Sequence, residues 1–233
     1  MNLPKQLLII FALFGFALVS CTDYASQIDN RYGDVDWDSE GKNISGKSSS
    51  SVVNGNVGNV SSSSQTFGVF VDVRNGMVYK TIEVGEKVWM AQNLNFMTMN
   101  SFCYNNNAFL CAEYGRLYTW EAAQIACPAG WHLSTWAEWE SLKIAAYCDN
   151  VGWGNALKST EWSKDASDCV GFGALPAGTG NGSFFEGEGL WTKFWTAQGE
   201  DLYADCFHLY SGAGMDNETR RVNSLLSVRC VRD

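Results

Sequence analysis

The spacing of apolar and polar positions changes character several times along the chain. Residues 1–21 hold one apolar run, "LLIIFALFGFALVS", shorter than the roughly 20 residues a membrane-spanning helix needs. Residues 22–66 show no apolar period. From Phe67 the pattern alternates in "FGVFVDVRNGMVYKTIEVGEKVWMAQNL". A period of two predicts three short strands in a meander, with two-residue turns at Asn75-Gly76 and Gly85-Glu86. The period then shifts toward 3.6. In "TWEAAQIAC" Thr119 is placed to cap a helix whose Trp120, Ala123 and Cys127 share a face. In "TWAEWESLKIAAY" Thr135 and Glu138 have capping-box spacing, and Trp139, Leu142 and Ala146 share a face. Beyond Cys148 the chain runs through "GFGALPAGTGNGSFFEGEG" without a period, and alternation returns in "LWTKFWTA", "LYADCFHLY" and "LLSVRCVRD". The order predicts an α+β domain over residues 67–233. It has two helices, short antiparallel sheets, a long irregular loop region and chain ends that pair.

Composition narrows what such a domain does. The 233 residues carry a formal charge of -9, with a pI near 4.7, which repels polyphosphate and argues against nucleic-acid binding. Ten tryptophans, nine tyrosines and thirteen phenylalanines supply an aromatic core. Residues 22–66 combine "DNRYGDVDWDSE" with a Ser/Gly/Asn-rich stretch. Such a segment buries too little to offset its ordering entropy. The expectation is a disordered acidic tether with a root-mean-square span of about 35 to 40 Å. Within it, "GKNISGKS" satisfies the phosphate-loop pattern, but that chemistry needs a strand before the loop and a helix after it. Neither is encoded, so no nucleotide site is expected.

The first apolar run ends in "LVSC", which resembles a bacterial lipobox. That resemblance implies a signal peptide over residues 1–21 and lipidation of Cys21. It further implies a membrane partner through the lipid anchor and a place in the bacterial cell envelope. Thr22 after the anchor resembles outer-membrane sorting.

Six segments carry a second resemblance: "VWMAQNLNF", "CYNNNAFLCAEYGRLYTWEAA", "CPAGWHLSTWAEWESL", "GFGALPAG", "FWTA" and "SVRCVRD". In that order they resemble the Fibrobacter succinogenes major paralogous domain, over essentially all of residues 67–233. The helix-pair spacing is similar to the C-type lectin fold and to sulfatase-modifying-factor domains, so the resemblance implies a C-type-lectin-like domain. It also implies that Cys127 bridges to Cys230, stapling the chain ends, while Trp131, Leu133, Trp136 and Trp139 form core and Glu138 caps a helix. With the short intervening loop it pairs Cys103 with Cys111. Cys148, Cys169 and Cys206 lie outside the family pattern. Cys148–Cys169 is the expected third pair with Cys206 left over, and other pairings stay open.

No G-x-S-x-G, H-E-x-x-H or C-x-x-C run occurs, and the histidines are His132 and His208 alone. Cys206 and His208 share a strand face, but two residues of strand separate them by about 7 Å. No catalytic residue and no cofactor is therefore expected. Lectin calcium sites use Glu-Pro-Asn or Gln-Pro-Asp with Trp-Asn-Asp, as calcium wants six to eight oxygens. None of these runs is present and Pro176 has no carboxylate beside it, so no metal site is expected. What remains is "NGSFFEGEGLWTKFW". In it Glu186, Glu188 and Trp191 are the candidate exposed ligand-binding patch, and Trp195 is core. The expectation is a lipid-anchored binding or adhesion module recognising polysaccharide or a surface protein. A formylglycine-generating-like enzyme and a structural outer-membrane lipoprotein are the alternatives.

Overall fold

The computed structural model describes residues 67–148 and 150–233. Cys21, the tether and the phosphate-loop look-alike lie outside the described residues.

Strands β1 (Phe67–Asp72), β2 (Met77–Val84) and β3 (Lys87–Met90) form the expected antiparallel meander. The second turn has two residues, since Val84 faces Lys87 and Gly85 takes φ 66. The first does not. Asp72 faces Met77, so the loop has four residues, Val73 to Gly76. A two-residue Asn-Gly turn needs positive φ at both positions, and here only Gly76 has it. The Asp72 carbonyl accepts from Asn75 and Gly76, and its carboxylate accepts from the Arg74 backbone and guanidinium. These local bonds set the longer loop.

Four helices are present among the described residues, two more than the sequence pattern predicts. Helix α1 (Ala108–Tyr114) follows a 3-10 turn and is capped by the Asn107 side chain. Helix α2 (Trp120–Ala126) is capped by Thr119, which accepts from the Ala122 amide. Helix α3 (Trp136–Ala145) carries the Thr135–Glu138 capping box. Helix α4 (Trp153–Leu157) is five residues long. It is too short to show a helical period, and tertiary contact holds it. The Gly154 amide donates to the Ala213 carbonyl, and a Cβ on Gly154 would fall 2.1 Å from the Gly214 carbonyl oxygen.

Strands β4 (Ser101–Phe102) and β5 (Leu117–Tyr118) pair with each other. Strand β6 (His132–Leu133) joins the first sheet. The glycine-rich region is not irregular throughout. It contains the hairpin β7 (Ala177–Gly180) and β8 (Phe185–Glu188), hidden in sequence because β7 reads "AGTG" and lacks branched or aromatic residues. Strands β9 (Thr192–Glu200), β10 (Tyr203–Leu209) and β11 (Met215–Arg221) complete the second sheet, ordered β11-β10-β9-β7-β8. Of "LLSVRCVRD" only β12 (Cys230–Arg232) is a strand. It lies between β3 and β6, giving the first sheet the order β1-β2-β3-β12-β6. Leu225, Leu226 and Ser227 instead make single bridges to Gly180, Tyr118 and Phe194.

Trp139, fully buried, centres the core. Its ring meets Trp89, Phe172, Phe194 and Phe207 at centroid distances of 5.2, 5.6, 5.2 and 5.0 Å, and its indole N–H donates to Ser134 Oγ. Truncating such a ring costs about 3 to 5 kcal/mol. Among the described residues three disulfides are formed: Cys103–Cys111, Cys127–Cys230 and Cys148–Cys169. The second closes a sequence separation of 103 residues, the kind of long loop whose closure restricts the unfolded chain most in the chain-entropy model. Glu138 accepts from Thr135 and meets His132 Nε2 at 2.8 Å. The histidine-glutamate cluster of "CPAGWHLSTWAEWESL" is thus joined to a helix start.

Candidate functional site

The candidate patch lies on the β7–β8 hairpin and the turn into β9. Glu186 and Glu188 are two apart in β8, so they share a face, and both are exposed. Phe184 and Leu190, beside them in sequence, are 61% and 58% exposed. Phe185 turns inward against the Tyr104 ring at 5.3 Å. Trp195 is fully buried and donates its indole N–H to the Tyr118 carbonyl.

Trp191 departs from the expectation of an exposed ring. The Leu190 and Trp191 amides both donate to the Gly187 carbonyl, and this tight turn folds the half-buried indole back over Gly187. A Cβ on Gly187 would fall 1.9 Å from the ring, and Gly187 takes φ 80. Glycine is needed there both for space and for backbone geometry. The two glutamates and the tryptophan therefore occupy one turn, but they are not one exposed platform.

Beside Trp191 lies a charged cluster that the sequence pattern did not single out. Register places His208 opposite Lys193 and Cys206 opposite Glu218, so side chains from three strands converge on one face. His208 Nδ1 is 2.8 Å from Glu218 Oε1. The other carboxylate oxygen accepts from Lys193 Nζ and Arg220 Nη2, each at 2.6 Å. The His208 ring meets Trp191 edge-on at 6.5 Å and Tyr210 at 4.9 Å. Burial raises the Glu218 pKa, but the hydrogen bond and charge of Lys193, then the charge of Arg220, outweigh it and hold the group at about 2. Burial, followed by the charge of Lys193, pushes His208 down. Two buried ring nitrogens here have no protein partner, Trp191 Nε1 and His208 Nε2.

The cysteine in this cluster is not activated for nucleophilic attack. Cys206 is fully buried and is the free cysteine among the described residues. Burial pushes its thiol up to about 12, so almost no thiolate forms at neutral pH. No group of three His, Cys, Asp or Glu residues among those described is placed to hold a metal ion. Sequence reasoning missed Lys193, Glu218 and Arg220. A signal was available in the alternation of "LYADCFHLY" and "MDNETRR", which puts a histidine and a glutamate on the sheet faces, but the facing register is not encoded locally.

No curated protein and no solved structure matches the chain. The family model described as the Fibrobacter succinogenes major domain matches residues 82–232. The match begins within β2, and β1 extends the first sheet ahead of it. Covering more than half of the chain, it establishes that the protein belongs to the Fibrobacter succinogenes major domain family.

Proposed function

We propose that the protein is a recognition module of the bacterial cell envelope. In this reading it is lipid-anchored at Cys21 in the outer membrane, carried on a tether over residues 22–66, and binds polysaccharide. The observation that carries the binding reading is the β7–β8 hairpin. Phe184 and Leu190 stand exposed beside the carboxylates of Glu186 and Glu188, and apolar faces next to acceptor oxygens suit sugar rings and their hydroxyls. A C-type-lectin-like fold is part of the proposal. The pairing of β12 with β3 and β6 and the Cys127–Cys230 bridge, which tie the chain end to the domain's early elements, support it.

One observation favours a second reading, in which a surface protein is the partner. Strand β1 is the outer strand of its sheet, and its Val69 and Val71, with Val73 of the following loop and Val78 of β2, are at least half exposed. An unprotected apolar edge is a natural site for strand addition. The formylglycine-generating-like reading has less support, because Cys230 is committed to a disulfide and the Cys206 thiol is held protonated.

The test is binding of the full chain to soluble and insoluble polysaccharides, with and without chelator, beside Phe184→Ala and a Glu186→Gln/Glu188→Gln double variant. Saturable binding weakened in both variants is the expected result. Binding to no polysaccharide, or binding that neither variant changes, would overturn the hairpin as the site.

A further inference from the structure

A groove lies where β9 turns into β10. The register of β10 with β11 sets Tyr203 opposite Arg221 and Asp205 opposite Thr219, and strand alternation puts all four on one face. The next β10 residue on that face, Phe207, is buried against Trp136 and Trp139. The face therefore runs outward from the core, with Asp205 half-buried and Tyr203 47% exposed. A bulge in β9 shapes the other strand. Between the pairs Cys206–Trp195 and Ala204–Gly199, the residues Thr196, Ala197 and Gln198 stand against Asp205 alone, and bulges re-aim side chains and interrupt pairing. The bulge is anchored. The Thr196 carbonyl accepts from the Trp120 indole, the Ala197 amide donates to the Ser134 carbonyl, and Gln198 Oε1 accepts from the Trp136 amide. These bonds tie it to the starts of α2 and α3. The groove so formed measures about 780 Å³ and is lined by Gln198, Glu200, Leu202, Tyr203, Asp205 and Thr219 among others. That volume falls within the roughly 300 to 1,000 Å³ of small-molecule sites.

The lining sets the chemistry of the ligand. No lysine or arginine lines the groove, so it does not suit a carboxylate or phosphate. Its carboxylates, Glu200, Asp201 and Asp205, enter no ion pair among the described residues. A carboxylate accepts, so the ligand must bring donors. Arg221 already lies over the Tyr203 ring, its guanidinium 5.6 Å from the centroid, so a cationic ligand would meet a like charge there. A sugar satisfies these demands without charge, since its hydroxyls donate and its apolar C–H face packs on an aromatic ring. We propose that the groove binds a neutral saccharide, with one sugar ring against Tyr203 and its hydroxyls donating to Asp205 and Glu200. This adds a site to the polysaccharide reading and rests on it. Strand β9 begins beside β7 at Thr192 and ends at the groove at Glu200. Roughly 25 Å of strand separates its two ends, so variants of the groove and of the β7–β8 hairpin are independent.

The experiment titrates cellohexaose, xylohexaose, mannohexaose, an oligogalacturonate, a glucosamine hexamer and polylysine into the full chain at pH 7 by calorimetry. Tyr203→Ala, Asp205→Asn and the hairpin variant Phe184→Ala are run beside the wild type. At least one neutral oligosaccharide should bind. Tyr203→Ala and Asp205→Asn should each weaken that binding about tenfold, with unchanged circular dichroism spectra. Neutral-oligosaccharide binding that either groove variant leaves unchanged would overturn the inference and spare the polysaccharide reading. Binding of the glucosamine hexamer or the oligogalacturonate without any neutral oligosaccharide would keep a polysaccharide ligand and refute the neutral one. Binding of polylysine alone, or of none of the six, would defeat both.

Discussion

Arg229 and Lys193 are both cations withdrawn from water, 1% and 4% exposed, and their surroundings are completed to different degrees. Around Arg229 each nitrogen has an acceptor. Nε donates to Asn93 Oδ1 at 2.8 Å, Nη1 to the Met90 and Phe172 carbonyls at 2.9 and 2.6 Å, and Nη2 to the Gly173 carbonyl at 3.1 Å. The guanidinium also lies 4.3 Å over the Phe172 ring. Burial pushes its pKa down to about 9 against the charge of Asp168, which leaves it cationic at neutral pH. Lys158 follows the same plan, donating to Asn155 Oδ1 and to the Tyr210 and Gly212 carbonyls. Around Lys193, by contrast, one carboxylate serves three partners, and the imidazole at the end of the chain of contacts keeps an unpaired nitrogen beside the unpaired indole of Trp191. A buried cation whose nitrogens all find protein acceptors is a structural tie. A cluster that shares one carboxylate among three partners is held by charge, and leaves two ring nitrogens without a protein partner.

The sharpest way to break this comparison is to empty the closed site. Arg229→Met leaves three carbonyls and the Asn93 amide oxygen without their donor, and the loss should be about 3 to 5 kcal/mol of unfolding free energy in a urea titration. A loss below about 1 kcal/mol would mean that the cage is not a structural tie. The open cluster should respond less. Glu218→Gln removes the charge that joins Lys193, Arg220 and His208, and with Glu218 partly exposed the expected loss is about 1 to 2 kcal/mol.

The pH dependence has a definite sign. Glu218 has its pKa depressed to about 2 in the folded state, so its contribution is full above the ordinary carboxylate value of 4.5 and is lost as pH falls toward 2. His208 is also depressed. As a cation-forming group it binds its proton more readily in the unfolded chain, so its contribution begins to fall below pH 6.5. Wild-type stability should therefore decline in two stages on acidification, and Glu218→Gln should shrink the lower one, to which Asp72 and Glu138, also held below the usual carboxylate range, continue to contribute. A single transition unchanged in the variant would show that the cluster does not couple to folding. The smallest effect concerns Cys206. With Cys21 replaced by serine, the folded protein should resist iodoacetamide at pH 8, with one thiol equivalent appearing after denaturation without reductant. Rapid labelling of the native protein would contradict the burial of the thiol.

What could be read in advance follows the range of the interactions involved. Thr119 and Thr135 cap helices through bonds to residues three positions on, and Gly85 makes its turn with its immediate neighbours. The same logic fails at Asn75-Gly76, where the side chain of Asp72 binds Arg74 and sets a longer loop. It fails again at α4 and β7. A five-residue helix and an "AGTG" strand have no period of their own, and contacts with residues 213 and 214 and with β8 and β9 hold them. Glu186, Glu188 and Trp191 could be grouped from sequence because they are near neighbours. The inward fold of Trp191 could not, because it depends on the turn around the Gly187 carbonyl.

By itself, then, the sequence determined the mixed helix and strand character, the two capped helices, the Gly85-Glu86 turn and the family. Each rests on residues a few positions apart or on motifs written in order. The tertiary structure alone decided the cage of Arg229, whose partners lie 56 to 139 residues away. It likewise decided the convergence of Lys193, His208, Glu218 and Arg220, which depends on the register of three strands. Local hydrogen bonding is encoded where it is made, whereas a buried polar cluster exists only once distant strands align and exclude water.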